Sequence, residues 1–313
     1  MEAGRFEEAI QEFKLASKRD PRNYVPYATL GNAYSALRRY QEANEAYENA
    51  IIRAPNNGSL YLALAGTYFR LGDLEKAVST YKEASKIDRS LVPQVYSNLC
   101  LTYRHMERYT EALESCQKAI DLKPADLSTP YTYRAYVHYG LGKHDQALQD
   151  LEQAIRLNPA HSSSYLNRAW MNLYLRRGSE ATTDARFYLG LKKWRDEHSQ
   201  YMVIVAHLGS RLANDKAFAQ GILQIAEKEV DTKAWPYPVI AYLQNKMTEQ
   251  ELLALATDDN KMTEVRTYIG MNHVLSGDDG KAAIHFNWVK DNGNKRFFEY
   301  PLVLSELKRI TTK

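Results

Sequence analysis

Eight histidines are the first residues to test for chemistry: His105, His138, His144, His161, His198, His207, His273 and His285. No two share the His-Glu-x-x-His spacing that turns two imidazoles toward one zinc from a single helix face. They read as structural or solvated side chains. Gly140-Leu141-Gly142-Lys143 has the glycines and lysine of a phosphate-binding loop, but His144 follows where Ser or Thr is needed, and no strand precedes it. Ser79/Lys82 and Ser115/Lys118 make Ser-x-x-Lys spacings without the partner motifs of that chemistry. Asn57-Gly58-Ser59 fits a glycosylation acceptor and, more simply, a turn. Cys100 and Cys116 read as small core residues, and a redox switch would need them close together with one exposed. These patterns predict no catalytic residue, no cofactor and no metal site, hence a chain that is not an enzyme.

Composition narrows the classes further. The 313 residues are 44% apolar and 25% charged, with 41 Lys and Arg against 38 Asp and Glu for a net charge of +3. That near-balance gives no electrostatic reason to expect nucleic acid as a partner. No apolar run approaches the roughly 18–20 residues of a membrane span. Two cysteines cannot build a disulfide scaffold. The opening MEAGRFEEAIQEF is acidic and amphipathic, unlike a signal peptide. The compartment therefore stays open, with the cytoplasm and the bacterial periplasm both compatible. The unusual figure is 23 tyrosines beside eight phenylalanines.

The tyrosines fall on a period. Tyr27, Leu30, Gly31, Tyr34, Ala43, Tyr47, Ala50 and Pro55 are followed 34 residues later by Tyr61, Leu64, Ala65, Tyr68, Ala77, Tyr81 and Ala84. The series returns as Tyr96, Leu99, Cys100, Tyr103, Ala112, Cys116, Ala119 and Pro124, and again as Tyr131, Ala135, Ala147, Leu151, Ala154 and Pro159. A looser copy runs through Tyr165, Ala169 and Ala181. Within each copy the apolar residues recur three or four apart over two segments of about a dozen residues, the spacing of an amphipathic helix. A glycine or polar break separates the segments, as at Leu71-Gly72-Asp73, and a proline closes the second where it cannot continue the hydrogen-bond ladder. Small residues let two helix backbones approach, and tyrosines fill the wider gaps.

This 34-residue helix-turn-helix repeat resembles the tetratricopeptide-repeat (TPR) family in period and residue types. The resemblance implies an all-α fold: a right-handed superhelical solenoid of antiparallel helix pairs. We expect a TPR array over 1–195, made of a half repeat at 1–23 and repeats at 24–57, 58–91, 93–126, 128–161 and 162–195. Because the chain starts inside a repeat, we expect it to be cut from a longer protein. In the last two repeats of the array Arg134 and Arg168 replace the leucine, and sixteen residues on both carry an acid, Asp150 and Asp184. The leucine copies have Ala46, Thr80 or Ser115 there. An Arg–Asp pair bridging the two helices is expected in each.

Over 196–313 the period blurs into a degenerate helical region. Thr248 and Glu251 form a capping box that starts a helix. One terminal TPR is expected at 263–296, with Gly270, Gly277, Ala282 and Phe286 in register, and a capping helix over 301–310. The order from Trp235 to Leu307 resembles the C-terminal part of bacterial TPR lipoproteins of the Nlp type, which implies an adaptor. The lipid-attachment cysteine of those proteins has no counterpart near the start of this chain.

In the TPR family the first helices line a concave groove, and the residues the core does not claim face it. Here these are Asn32, Phe69, Arg70, Asn98, Arg104, Tyr133, Tyr136, Tyr139, Trp170 and Tyr174, with Leu62 beside them. Amphipathic rings bury much area at low entropic cost, which suits recognition. Neighbouring repeats, or the degenerate half folding back, could equally bury some of them. Asn32 matches one position of a chaperone-tail carboxylate clamp, but Ala28 stands where its lysine belongs, so that partner is not expected. The resulting expectation is a protein-interaction scaffold that takes a protein or peptide ligand. The alternative is a regulatory or sensor TPR region of a larger enzyme. Nothing in the sequence sets the oligomeric state.

Overall fold

The computed structural model describes residues 2–295 and 297–312, with the backbone alone described over 2–6. The first residue of the expected half repeat and the last of the expected terminal TPR lie outside the described residues. Among the described residues the chain is all-α, with eighteen α-helices and no strand. It divides into two compact units that part between Leu157 and Asn158.

The first unit holds α1 (Glu2–Arg19), α2 (Val25–Ala36), α3 (Tyr40–Arg53), α4 (Gly58–Leu71), α5 (Leu74–Ile87), α6 (Val92–His105), α7 (Tyr109–Asp121), α8 (Ser128–Gly140) and α9 (His144–Leu157), with a short 3-10 turn at Arg89–Leu91. Each helix packs on its neighbours in sequence, and α6 also reaches α8. The reason is local. Links of a few residues reverse the chain, so each amphipathic helix finds its cover in the next one. The small residues stand where helices approach most closely: a Cβ on Gly31 would lie 2.6 Å from the Tyr47 ring. Cys100 and Cys116 occupy the same two register positions as Gly31 and Tyr47. Both are fully buried, and they form a disulfide that joins α6 to α7. They are thus small core residues, and also a covalent clip that their burial alone did not announce.

The turn inside each pair is the same whether or not it has a glycine. Gly72 and Gly142 adopt φ values of 85° and 70°, and at the equivalent places Arg38 and Glu107 are forced to 59°. A side chain in that left-handed region is strained, so the repeat geometry overrides local preference there.

The second unit holds α10 (Ser162–Tyr174), α11 (Gly178–Lys192), α12 (Ser199–Leu212), α13 (Lys216–Glu229), α14 (Tyr237–Leu243), α15 (Glu249–Leu255), α16 (Asp259–Leu275), α17 (Asp279–Asn292) and α18 (Glu299–Thr311). The Thr248 capping box at α15 forms with both of its hydrogen bonds. The terminal pair α16–α17 repeats the close approach, with a Cβ on Gly270 meeting the Phe286 ring at 2.3 Å. Helix α18 covers α16 and α17, as a capping helix should, and it also packs on α10. Arg176, in the turn after α10, donates to Glu306 of α18 at 2.6 Å, and Arg309 donates to the other carboxylate oxygen at 2.8 Å.

Both expected inter-helix pairs are present. Arg134 donates to both oxygens of Asp150 at 2.9 and 2.6 Å. Arg168 does the same to Asp184 at 2.9 and 2.7 Å. Each is a two-point guanidinium–carboxylate contact, the geometry that strengthens such pairs most. Burial pushes the Asp184 carboxyl up, opposed by Arg168 and Asn172.

Candidate functional site

Helix α4 contributes one stripe of residues, Ser59, Leu62, Ala63, Gly66, Phe69 and Arg70, to a common surface. The spacing of three or four residues puts them on one face. Helix α6 does the same with Gln94, Asn98, Leu101 and Thr102. Together with Tyr81 from α5 and Tyr133 from α8 they enclose a groove of about 360 Å³ in the first unit. Its walls are mixed: half-buried Leu62, Phe69, Leu101 and Tyr133 supply apolar surface, while Asn98 and the exposed Arg70 supply amide and guanidinium donors.

The groove is held from below. Tyr81 is 4% exposed, and burial pushes its phenol pKa up, so it stays neutral at any ordinary pH. Burial also raises Tyr133, with the Arg70 charge pulling the other way. Tyr133 is braced by the Tyr136 ring, stacked at 6.2 Å, and Phe69 by an edge contact to His105 at 5.0 Å. Bracing of this kind reduces the rotamer entropy a ligand must freeze out.

Of the ten residues expected to face a ligand, Phe69, Arg70, Asn98 and Tyr133 line this one groove. Arg104 follows Leu101 on α6, and Tyr136 and Tyr139 continue along α8, with Tyr139 leaning on His144 at 5.6 Å. Asn32 is exposed on α2, its side-chain oxygen accepting from Tyr47 Oη at 2.6 Å. Tyr174 is half-buried at the end of α10, in the other unit.

Trp170 departs from expectation. It is 6% exposed and stacked on Phe298 at 5.9 Å with the planes 8° apart, so its ring belongs to the core of the second unit. The cause is the contact of α18 with α10, which closes over this stripe. The groove also contains residues the sequence reading passed over: Leu101, Gln94 and Thr102. Extending the stripe from Asn98 by three and four residues along α6 would have found them.

Three ionisable groups outside the groove converge in the second unit: Glu249, His273 and His285. Among the described residues no helix is long and apolar enough to cross a membrane.

Comparison with known proteins gives a family-level likeness. Two tetratricopeptide-repeat sequence profiles match, one over residues 29–92 and 134–191 and the other over 91–160. Compared by sequence with curated proteins, the chain finds no match. Among solved structures it is similar to PilW, a type IV pilus biogenesis factor, at TM-score 0.57 and 15% identity, covering 72% of this chain and 98% of that one. It is similar to a chain of the APC/C hetero-tetramer Cut9–Hcn1 at TM-score 0.58 and 14% identity, covering 78% of this chain and 46% of that one. A tetratricopeptide-repeat protein from Parabacteroides merdae aligns over 93% of this chain and 99% of its own, at TM-score 0.52 and 14% identity. At these identities the likeness is one of fold.

Proposed function

The chain belongs to the tetratricopeptide-repeat family, and on that premise we propose that it is an interaction scaffold whose first unit captures an extended peptide or partner helix in the α4–α6–α8 groove. TPR proteins bind protein or peptide partners, and similar folds occur in PilW, a type IV pilus biogenesis factor, and in the APC/C hetero-tetramer Cut9–Hcn1. The observation that carries the proposal is the groove: about 360 Å³, open to solvent, with braced aromatic walls and convergent polar groups. Phe69 and Tyr133 act as the anchors, and Asn98 and Arg70 hold main-chain and acidic groups of the ligand. Arg104, Tyr136 and Tyr139 extend the surface along the same two helices, and Asn32 stands at the α2 edge. The adaptor role of the Nlp-type resemblance is consistent with this reading and is part of the proposal.

The test is selection of a displayed random-peptide library on the intact chain, followed by measurement of Kd for the enriched peptides. Phe69→Ala with Tyr133→Ala should weaken them by more than tenfold, since truncating a central aromatic anchor costs about 2 kcal/mol or more. Circular dichroism should not change. Enriched peptides that bind the double variant as tightly as the original chain would move the site elsewhere.

A further inference from the structure

We propose that Glu249, His273 and His285 form a binding site for one divalent transition-metal ion of the Zn²⁺ class. The three residues come from three different helices of the second unit: Glu249 opens α15, His273 lies near the end of α16, and His285 is inside α17. The His273 Nε2 lies 3.0 Å from one carboxylate oxygen of Glu249, and the His285 Nε2 lies 3.0 Å from the other. The imidazole rings stack at 5.8 Å with planes 20° apart, and both turn Nε2 to the Glu249 carboxylate. All three candidate ligand atoms lie within 4.8 Å of one another.

Two imidazoles and a carboxylate make a donor set that zinc takes, with the fourth position left for water or another side chain. Zinc–nitrogen and zinc–oxygen bonds of about 2.0–2.1 Å in a tetrahedral site place neighbouring ligand atoms about 3.3 Å apart. The two 3.0 Å contacts, one to each carboxylate oxygen, open by a few tenths of an ångström to admit the ion, while the more widely separated ligand atoms, within 4.8 Å of one another, draw in.

The surroundings fit this use. The His285 side chain is 6% exposed and its Nδ1 is buried without a hydrogen-bond partner among the described residues, so its ring is aimed by the Nε2 side. His273 and Glu249 are 17% and 37% exposed, which leaves a route for an ion from solvent. The Thr248–Glu251 capping box fixes the start of α15, and therefore the backbone of Glu249. Arg266 is the nearby cation, and its guanidinium is drawn aside over the Trp288 ring at 4.9 Å.

The register strengthens the inference. His273 stands where other repeats carry Tyr34, Tyr68 and Tyr103, and His285 where they carry Ala46, Thr80 and Ser115. Those two positions, twelve residues apart, meet where the helices of a pair cross. In the repeat over 128–161 the same positions hold His138 and Asp150, 3.6 Å apart. In the next they hold Asn172 and Asp184, at 3.2 Å. Among the described residues, only the terminal pair adds a third such group from another helix.

The experiment is titration of the intact, tag-free chain with ZnCl₂ by calorimetry, and with CoCl₂ followed by visible absorption. One ion per chain is expected, with an intense tetrahedral-type Co²⁺ spectrum. Glu249→Gln and His273→Gln, both at partly exposed positions, should each weaken binding by more than the roughly 10–100-fold that losing a partner behind the ligands costs, without changing the circular dichroism. His285→Gln should abolish it, and if that variant fails to fold the other two still decide. No saturable binding of one ion, or binding that both variants retain, would overturn the proposal and leave a Glu–His–His hydrogen-bond cluster.

Discussion

At the crossing of α4 and α5 stand Leu64 and, sixteen residues on, Thr80. At the crossing of α10 and α11 the same two places hold Arg168 and Asp184. The backbones follow one plan, down to the left-handed residue in the turn, Gly72 in one pair and Arg176 in the other. What changes is the chemistry that fills the crossing. Leu64 is buried and makes no demand on its neighbours, whereas Asp184, 2% exposed, needs Arg168 and Asn172 to satisfy it. A repeat scaffold can thus exchange a hydrophobic contact for an ion pair without altering its shape, at the expense of making each partner indispensable to the other.

That contrast can be broken most severely at Arg168. Arg168→Ala leaves Asp184 buried without its partner and should cost about 3 kcal/mol, near the low end for a buried pair because the guanidinium is partly exposed. The double change Arg168→Leu with Asp184→Ala restores the chemistry of the repeats that carry leucine, and should cost far less or even stabilise. Urea denaturation monitored by circular dichroism reads both. A double variant no more stable than the single one would show that the pair is not self-contained.

A second difference lies in buried acids of the second unit. Glu264 accepts from Tyr201 at 3.0 Å and from the Trp235 indole at 2.5 Å. Burial, with the neighbouring Glu299 charge, pushes its carboxyl up to about 7. An acid raised on folding binds its proton more tightly in the native state. Stability is therefore full below about pH 4.5 and falls as pH rises toward 7, by at most about 1.4 kcal/mol per pH unit. Glu264→Gln should flatten that slope. Thermal midpoints between pH 5 and 8 that decline equally in both proteins would sink the assignment.

The smallest effect compares two turns. Glu107 holds φ at 59° with no glycine to ease it, so Glu107→Gly should stabilise the first unit by about 1 kcal/mol. Arg176, at 57°, also bonds the buried Glu306, so Arg176→Gly should give no such gain. Equal shifts in thermal midpoint for the two would mean that the Arg176–Glu306 contact contributes nothing.

The helix pairs, the capping box at Thr248, the capping helix and the Arg134–Asp150 and Arg168–Asp184 bridges were all legible in the sequence. The pairs and the two bridges depend on residues at most 16 apart, where the period states the register directly, and the capping box depends on residues three apart. Phe69, Arg70, Asn98 and Tyr133 were legible as a stripe for the same reason. The disulfide was half legible: Cys100 and Cys116 sit at the register positions of Gly31 and Tyr47, which meet, but both are buried, so the exposure a redox switch would need gives no pointer to it.

Other features were decided by tertiary structure alone. Trp170 carried the sequence pattern of a groove residue, and its burial depends on Phe298, 128 residues away. Glu249, His273 and His285 look scattered because their relation runs through three helices. Periodicity fixes which face of a helix is apolar and which neighbour it takes, since those are consequences of 3.6 residues per turn and short links. It carries no information about the angle at which the irregular α12–α15 segment returns the chain, and that angle decides which stripe stays open and which side chains from distant helices meet.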